Sequence, residues 1–218
     1  MKLLTFPILT VATVLLSLPA LAQVKYMVII GCDGMSPDGV LKSESPVMKR
    51  MMHEGAFTLR ARGVMPTSSS PNWASMIMGA GPEQHGVTSN DWKPDKFNIP
   101  PTVKGPGGIF PTIFSVLREQ KPQAVVGVFH DWGDYGRLFE RNMVDVIENP
   151  KGPTNTVERA VAFIKTRHPT FTFIHLDHVD HAGHEIGHGT DAYYASVSVD
   201  GEKPKQDGDK DKKVVRAI

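Results

Sequence analysis

Apolar residues along this chain fall into short runs that alternate with segments of helical spacing, and that alternation sets the first reading of the fold. Val24 to Cys32 (VKYMVIIGC) is apolar and partly β-branched and stops at Asp33-Gly34, which predicts a buried parallel strand followed by a turn. Ser45-Pro46 supplies a helix start, Val47, Met48, Met51 and Met52 share one face, and Gly55 ends the element; these methionines are expected to be ordinary core. Phe57 to Met65 reads as a second strand, the Ser-rich stretch 66–70 as a loop, and Pro71 to about Ala80 as a helix. Residues 94–111, dense in Pro and Gly, read as a surface excursion. Pro111 to Gln120 predicts a helix and Ala124 to Phe129 (AVVGVF) a buried strand. Thr154 to Arg167 predicts a helix with Val157, Ala160, Val161 and Ile164 on one face, and Thr170 to Leu176 (TFTFIHL) another strand. Strands alternating with helices predict right-handed βαβ units, hence an α/β fold with a mostly parallel sheet covered by helices on both faces.

The two ends depart from this pattern. Residues 1–22 begin with Lys2, run apolar from Leu3 to Leu18 and close on Ala20-Leu21-Ala22, which reads as a signal peptide removed before Gln23. The run is shorter than the ~20 residues of a membrane span and is broken by Pro7 and Pro19, so no stable span is expected after cleavage. The product is then exported, periplasmic or extracellular. At the other end, residues 201–213 (GEKPKQDGDKDKK) mix five lysines with four acidic residues and contain nothing apolar, so 201–218 reads as a charged, disordered tail. Residues 23–200 are left as one domain, and the abrupt change after Asp200 reads as a C-terminal truncation of it.

Composition narrows the partners. The 218 residues, 40% hydrophobic and 22% charged, suffice for one α/β core. Lys and Arg total 24 against 23 acidic residues, so no global field draws the chain to nucleic acid, and no nucleic-acid-binding surface is expected. Cys32 stands alone, which excludes an intramolecular disulfide and a multi-cysteine zinc site.

In an open parallel sheet, ligands bind beyond the carboxyl ends of the strands, so chemistry is sought there. Three segments qualify. Asp33 follows the first strand. Asp177-His178-Val179-Asp180-His181-Ala182-Gly183-His184 follows the strand ending at Leu176 and offers two Asp and three His, oxygen and imidazole donors suited to a borderline divalent metal such as zinc; composition alone does not say which of the five ligate. Pro66-Thr67-Ser68-Ser69-Ser70-Pro71-Asn72 places hydroxyls at a helix N-terminus, where backbone N–H groups and the helix dipole favour an anion. A hydroxyl there serves either as a nucleophile or as a plain N-cap.

Taken in order, DGMSPD after a strand, TSSSPNWASMIMGAGPEQHGVTSN, and DHAGH after a later strand resemble the metal-binding Asp, the nucleophile helix and the Asp-x-x-Gly-His motif of the nucleotide pyrophosphatase/phosphodiesterases, within the alkaline phosphatase superfamily. The similarity spans roughly residues 24–197 and includes GGIFPTIFSVLREQ and VVGVFHDWGDYGRL. It implies an alkaline phosphatase-like fold and an exported phosphodiesterase or nucleotide pyrophosphatase acting on a small phosphorylated substrate such as a nucleotide. It places the nucleophile on Ser69, two residues before the Pro-Asn pair, and makes Asn90 a donor to the phosphoryl oxygen. Two divalent metal ions, zinc by ligand type, are implied, one held by Asp33 and Ser69 and the other by Asp180 and His184. Asp177, His178 and His181 become residues that orient ligands, and a covalent phospho-serine is the implied intermediate. An aromatic wall around Trp73, Trp92 and the Pro-rich excursion is available for a base or other leaving group, with Trp73 reading equally as core.

The family pattern also includes an Asp-His pair after a later strand and a further His, which these 218 residues do not contain. On that ground the chain as written is expected to bind metal weakly and to turn over diesters slowly or not at all. The alternatives are a non-catalytic relative that keeps a metal- or anion-binding surface, and a phosphomonoesterase of the same superfamily. A sulfatase is disfavoured, because Ser69-Ser70-Pro71-Asn72 is followed by Trp73 where that class carries Arg.

Overall fold

Residues 24–198 are described by a computed structural model, so the leader read at 1–22 and the tail read at 201–218 lie outside the described residues. Strand β1 (Met27–Cys32) leads into helices α1 (Pro37–Lys42) and α2 (Pro46–Glu54), then α3 (Ser69–Met78) and the single turn α4 (Pro82–His85). A long loop precedes α5 (Ile113–Gln120), β2 (Val126–His130), β3 (Val146–Glu148), α6 (Pro153–Arg167), β4 (Phe171–Leu176), α7 (His178–Ile186) and α8 (Asp191–Val197). The four strands pair in parallel in the order β1-β4-β2-β3, the expected α/β architecture.

Side-chain alternation along β4 explains the layers. Phe171 and Phe173 join Trp73, Phe114, Val126 and Val128 in a core on one face, where α3 and α5 lie. Ile174 and Leu176 point the other way, joining Phe129, Val157, Ala160 and Phe163 beneath α6. Gly127 is required for this second contact: a Cβ there would stand 2.4 Å from the Phe163 ring. Helix α5 opens on a capping box, with Thr112 and Ser115 satisfying each other's backbone N–H groups. Thr112 also donates through Oγ1 to Glu140 at 2.5 Å, and its backbone N–H reaches the other carboxylate oxygen at 3.2 Å, which is how Glu140 is accommodated in the interior.

Three expectations are corrected. Phe57 to Met65 is not a strand but an irregular, largely exposed segment, since no described strand lies beside it to complete a ladder. Its end is pinned instead by Asn72, which accepts from Val64 N–H at 2.7 Å and donates to the Ser68 carbonyl at 2.9 Å. The methionines of α2 are not core: none of its residues is buried and Met51 is 58% exposed, because no described element covers that face. Helix α3 begins at Ser69 rather than Pro71, with Ser68 at the N-cap. Cys32 packs as a partly buried residue against the apolar cluster beneath α6.

Candidate active site

Strand register assembles the site. Cys32 pairs with Leu176 and His130 with His175, so the residues that follow β1, β4 and β2 (Asp33, Asp177 and Asp131) emerge together at the carboxyl end of the sheet. Asp33 is held by two donors at 2.9 Å: the Gly34 N–H on Oδ1 and the Trp73 indole N–H on Oδ2. Gly34 has φ +69°, and a Cβ on it would lie 2.3 Å from the Asp180 Cα. The turn after β1 therefore runs against the backbone of α7, and this close approach brings Asp33 beside Asp180. Tyr193 of α8 clamps the same turn, donating to the Gly34 carbonyl at 2.7 Å and accepting from Ser36 N–H at 3.0 Å. One helical turn beyond Asp180, His184 places Nε2 3.4 Å from its carboxylate.

The serines sit at the start of α3. Ser68 occupies the N-cap without using its side chain as a cap; the Ser70 N–H donates instead to Asn90 Oδ1 at 2.8 Å. That bond orients the Asn90 amide and leaves its Nδ2 as the donor end. Ser70 is fully buried, one turn before buried Ala74. Ser69 is half-buried and stands one turn before Trp73, the residue that binds Asp33. Ser69 and Ser70 precede Trp73 by four and three residues, so helical spacing sets both near the side of the indole that binds Asp33. Arg137, which the sequence reading did not single out, donates to the Asn90 carbonyl and pairs with Asp134 at 3.1 Å. Trp73 and Trp92 are both buried rather than forming an open wall. Trp92 does line a cavity of about 240 Å³ with Thr88, Ser89, Asp91, Lys96 and Phe97, on both chain sides of Asn90.

His175 and Asp131 were also missed. His175 follows Phe171 and Phe173 on the Trp73 face of β4, is fully buried, and lies 4.5 Å from the Trp73 ring and 4.8 Å from that of Tyr135. Its Nδ1 is 3.7 Å from Asp131 and its Nε2 3.9 Å from Asp33. Neither ring nitrogen has a hydrogen-bond partner, nor has Asp131 Oδ1. The available signal was an Asp directly after each of three strand runs, at Asp33, Asp131 and Asp177. The crowding shows in the electrostatics. Burial, and then the negative charge of Asp131, push the Asp177 carboxyl up to about 6. Asp180 is raised as well, by burial and then by Asp33. Convergent carboxylates, a buried imidazole with unpartnered nitrogens and a mixed nitrogen/oxygen donor set fit a divalent cation of the zinc type.

Fold and motif order define an α/β domain of the alkaline phosphatase-like kind. Murine ectonucleotide pyrophosphatase/phosphodiesterase 5, solved in complex with AMP, superposes over 89% of this chain and 51% of that one, with a TM-score of 0.66 at 17% identity. Phosphonoacetate hydrolase from Sinorhizobium meliloti 1021, in complex with phosphonoacetate, superposes over 79% of this chain and 50% of that one, with a TM-score of 0.54 at 18% identity. Among curated proteins, human ectonucleotide pyrophosphatase/phosphodiesterase family member 1 is 25% identical over 151 residues, and the rat protein of the same name 24%; each match takes in 65% of this chain. The chain spans about half the length of those solved structures and only 16% and 17% of the human and rat proteins. Residues 27–107 match the type I phosphodiesterase/nucleotide pyrophosphatase family model.

Proposed function

We propose that this chain carries the phosphoryl-binding half of an exported, metal-dependent phosphodiesterase that cleaves phosphodiester or pyrophosphate bonds of nucleotides through a phospho-Ser69 intermediate. The observation that supports this most directly is the convergence of Asp33, Asp180 and the start of α3 at one end of the sheet, through Gly34 against Asp180 and Trp73 on Asp33. Asp33 and Ser69 would hold one divalent cation and Asp180 and His184 the other. When bound, such ions lower the pKa of the hydroxyl and offset the charge on the phosphoryl oxygens. Ser69 gives up its hydroxyl proton to water, its Oγ attacks phosphorus, the P–O bond to the leaving group breaks, and that oxygen takes a proton from water. Asn90 Nδ2 donates to a non-bridging oxygen, with Arg137 holding the Asn90 backbone from behind. Water then cleaves the phospho-serine and restores the hydroxyl. The nucleotide chemistry in the names of the relatives, and AMP in the solved neighbour, support a nucleotide substrate. The cavity flanked by Trp92, Phe97 and Lys96 suits an aromatic ring beside an anionic group.

Incubation of the full chain with zinc and p-nitrophenyl esters tests this reading. Expected are slow release of p-nitrophenol from the diester in preference to the monoester, as the incomplete ligand set implies, loss of that turnover in Ser69→Ala by at least ~100-fold, and loss on chelation. Turnover that survives Ser69→Ala but not Ser70→Ala would move the nucleophile. No diester hydrolysis with metal bound would favour the non-catalytic binding reading. Export is proposed from the leader at 1–22, and N-terminal sequencing of secreted protein should begin at Gln23. Among the described residues no helix is long and apolar enough to cross a membrane.

A further inference from the structure

We propose that His175 and Asp177 join Asp33 as direct ligands of one divalent cation of the zinc type, with Asp131 orienting His175 from the opposite side. The inference rests on the reading that Asp33 binds a cation, and adds two ligands that the motif resemblance does not supply.

The three residues meet because β1 and β4 pair in register: Asp33 and Asp177 each follow the last paired residue of their strand, and His175 lies two positions before Asp177. One ligand atom from each falls within 4.8 Å of the other two. Donors sitting ~2.0–2.2 Å from zinc lie within ~4 Å of one another, so the site closes modestly on binding. The separate indication of a ligand is His175 itself. It is 0% exposed, ringed by Trp73 and Tyr135, and has no hydrogen-bond partner on either nitrogen. Leaving both polar atoms of a buried imidazole unpaired forfeits their hydration without compensation, and folded proteins rarely retain this without use.

Direct bridging of the carboxylates does not explain this residue, because 3.7 Å to Asp131 and 3.9 Å to Asp33 are beyond hydrogen-bond length. The orientation does suit ligation. If the site closes so that Nδ1–H reaches Asp131, now 3.7 Å away, Nε2 keeps its lone pair on the side of Asp33, which would give the carboxylate–histidine–metal arrangement in which the carboxylate sets tautomer and ring plane. Asp131 Oδ1 has no other partner, so nothing competes for that role. Asp33 is compatible as well: each of its oxygens accepts one hydrogen bond, which fixes the carboxylate plane and leaves a lone pair on each.

The test is calorimetric titration of the EDTA-stripped full chain with ZnCl2, paired with CoCl2 titration followed by visible absorption and by the fluorescence of Trp73, 4.5 Å from His175. The wild-type chain should bind zinc and give cobalt bands of nitrogen/oxygen coordination. His175→Gln, Asp177→Asn and Asp131→Asn should each weaken binding ~10–100-fold, with folding verified by circular dichroism and urea unfolding. If His175→Gln does not fold, the two Asp variants carry the test. Zinc affinity and cobalt spectra unchanged in Asp177→Asn and Asp131→Asn overturn the proposal, as does a wild-type chain that binds no zinc. Zinc bound through these residues without diester hydrolysis overturns the phosphodiesterase reading alone. Hydrolysis that needs Ser69, with zinc affinity indifferent to His175 and Asp177, overturns this inference alone.

Discussion

At the residue scale, the histidines divide by environment rather than by motif. His85 is 1% exposed; Val87 N–H donates to its Nδ1 at 3.0 Å, so Nε2 carries the proton and donates to Ser75 Oγ at 2.9 Å. Burial drives its pKa down to about 4. As pH falls below ~6.5 the unfolded chain takes up this proton and the folded chain does not, so the unfolded state binds more protons and stability drops. The contribution is complete above pH ~6.5 and declines toward about 4, by at most ~1.4 kcal/mol per pH unit. Urea unfolding from pH 7 to 4.5 should show a shallower slope for His85→Gln than for wild type; parallel curves would mean that His85 titrates normally. None of this was legible from the sequence, where His85 is one histidine in EQHG. Asp33, Asp180 and His184 were legible, because strand ends and a short motif place them locally. His175 was not: its isolation depends on Trp73, Tyr135 and Asp131, contributed by two other segments, α3 and the stretch that follows β2.

At the scale of elements, β1 and α3 act as one unit through Gly31. A Cβ at that position would stand 2.4 Å from the Trp73 ring, which already meets Tyr135 and His175 edge-on. Gly31→Ala should therefore cost about 1–3 kcal/mol by overpacking and displace the indole that donates to Asp33. Urea unfolding together with zinc affinity checks both halves, and an unchanged affinity would show that Trp73 does not position Asp33. The long helix α6 and the buried strands β2 and β4 were readable from apolar spacing, since a single element's pattern reports one buried face or two. The failures share a cause: whether 57–65 pairs, and whether the α2 methionines are covered, depends on a neighbour that the local pattern does not contain.

On the scale of the whole molecule, the sheet is unevenly protected. Strands β2 and β4 are buried throughout, whereas β1, an outer strand of the described sheet, has mostly half-buried residues and an exposed Met27 beside exposed Tyr26. An apolar edge of six residues is a template for strand pairing between molecules. Met27→Lys should lower concentration-dependent association in light scattering while shifting stability by no more than ~0.5 kcal/mol. Association unchanged by that substitution would place the contact elsewhere.

By itself the sequence determined the α/β class, the parallel strands and the order of the motifs, because apolar periodicity and strand-end placement are local properties of the chain. Only the tertiary structure decided which residues converge. Register brought Asp131 and Asp177 level with Asp33, the close approach at Gly34 set Asp180 beside it, and the packing of Trp73 and Tyr135 left His175 buried without a partner. These are contacts between segments up to about 150 residues apart, fixed by interactions that no single stretch of sequence encodes.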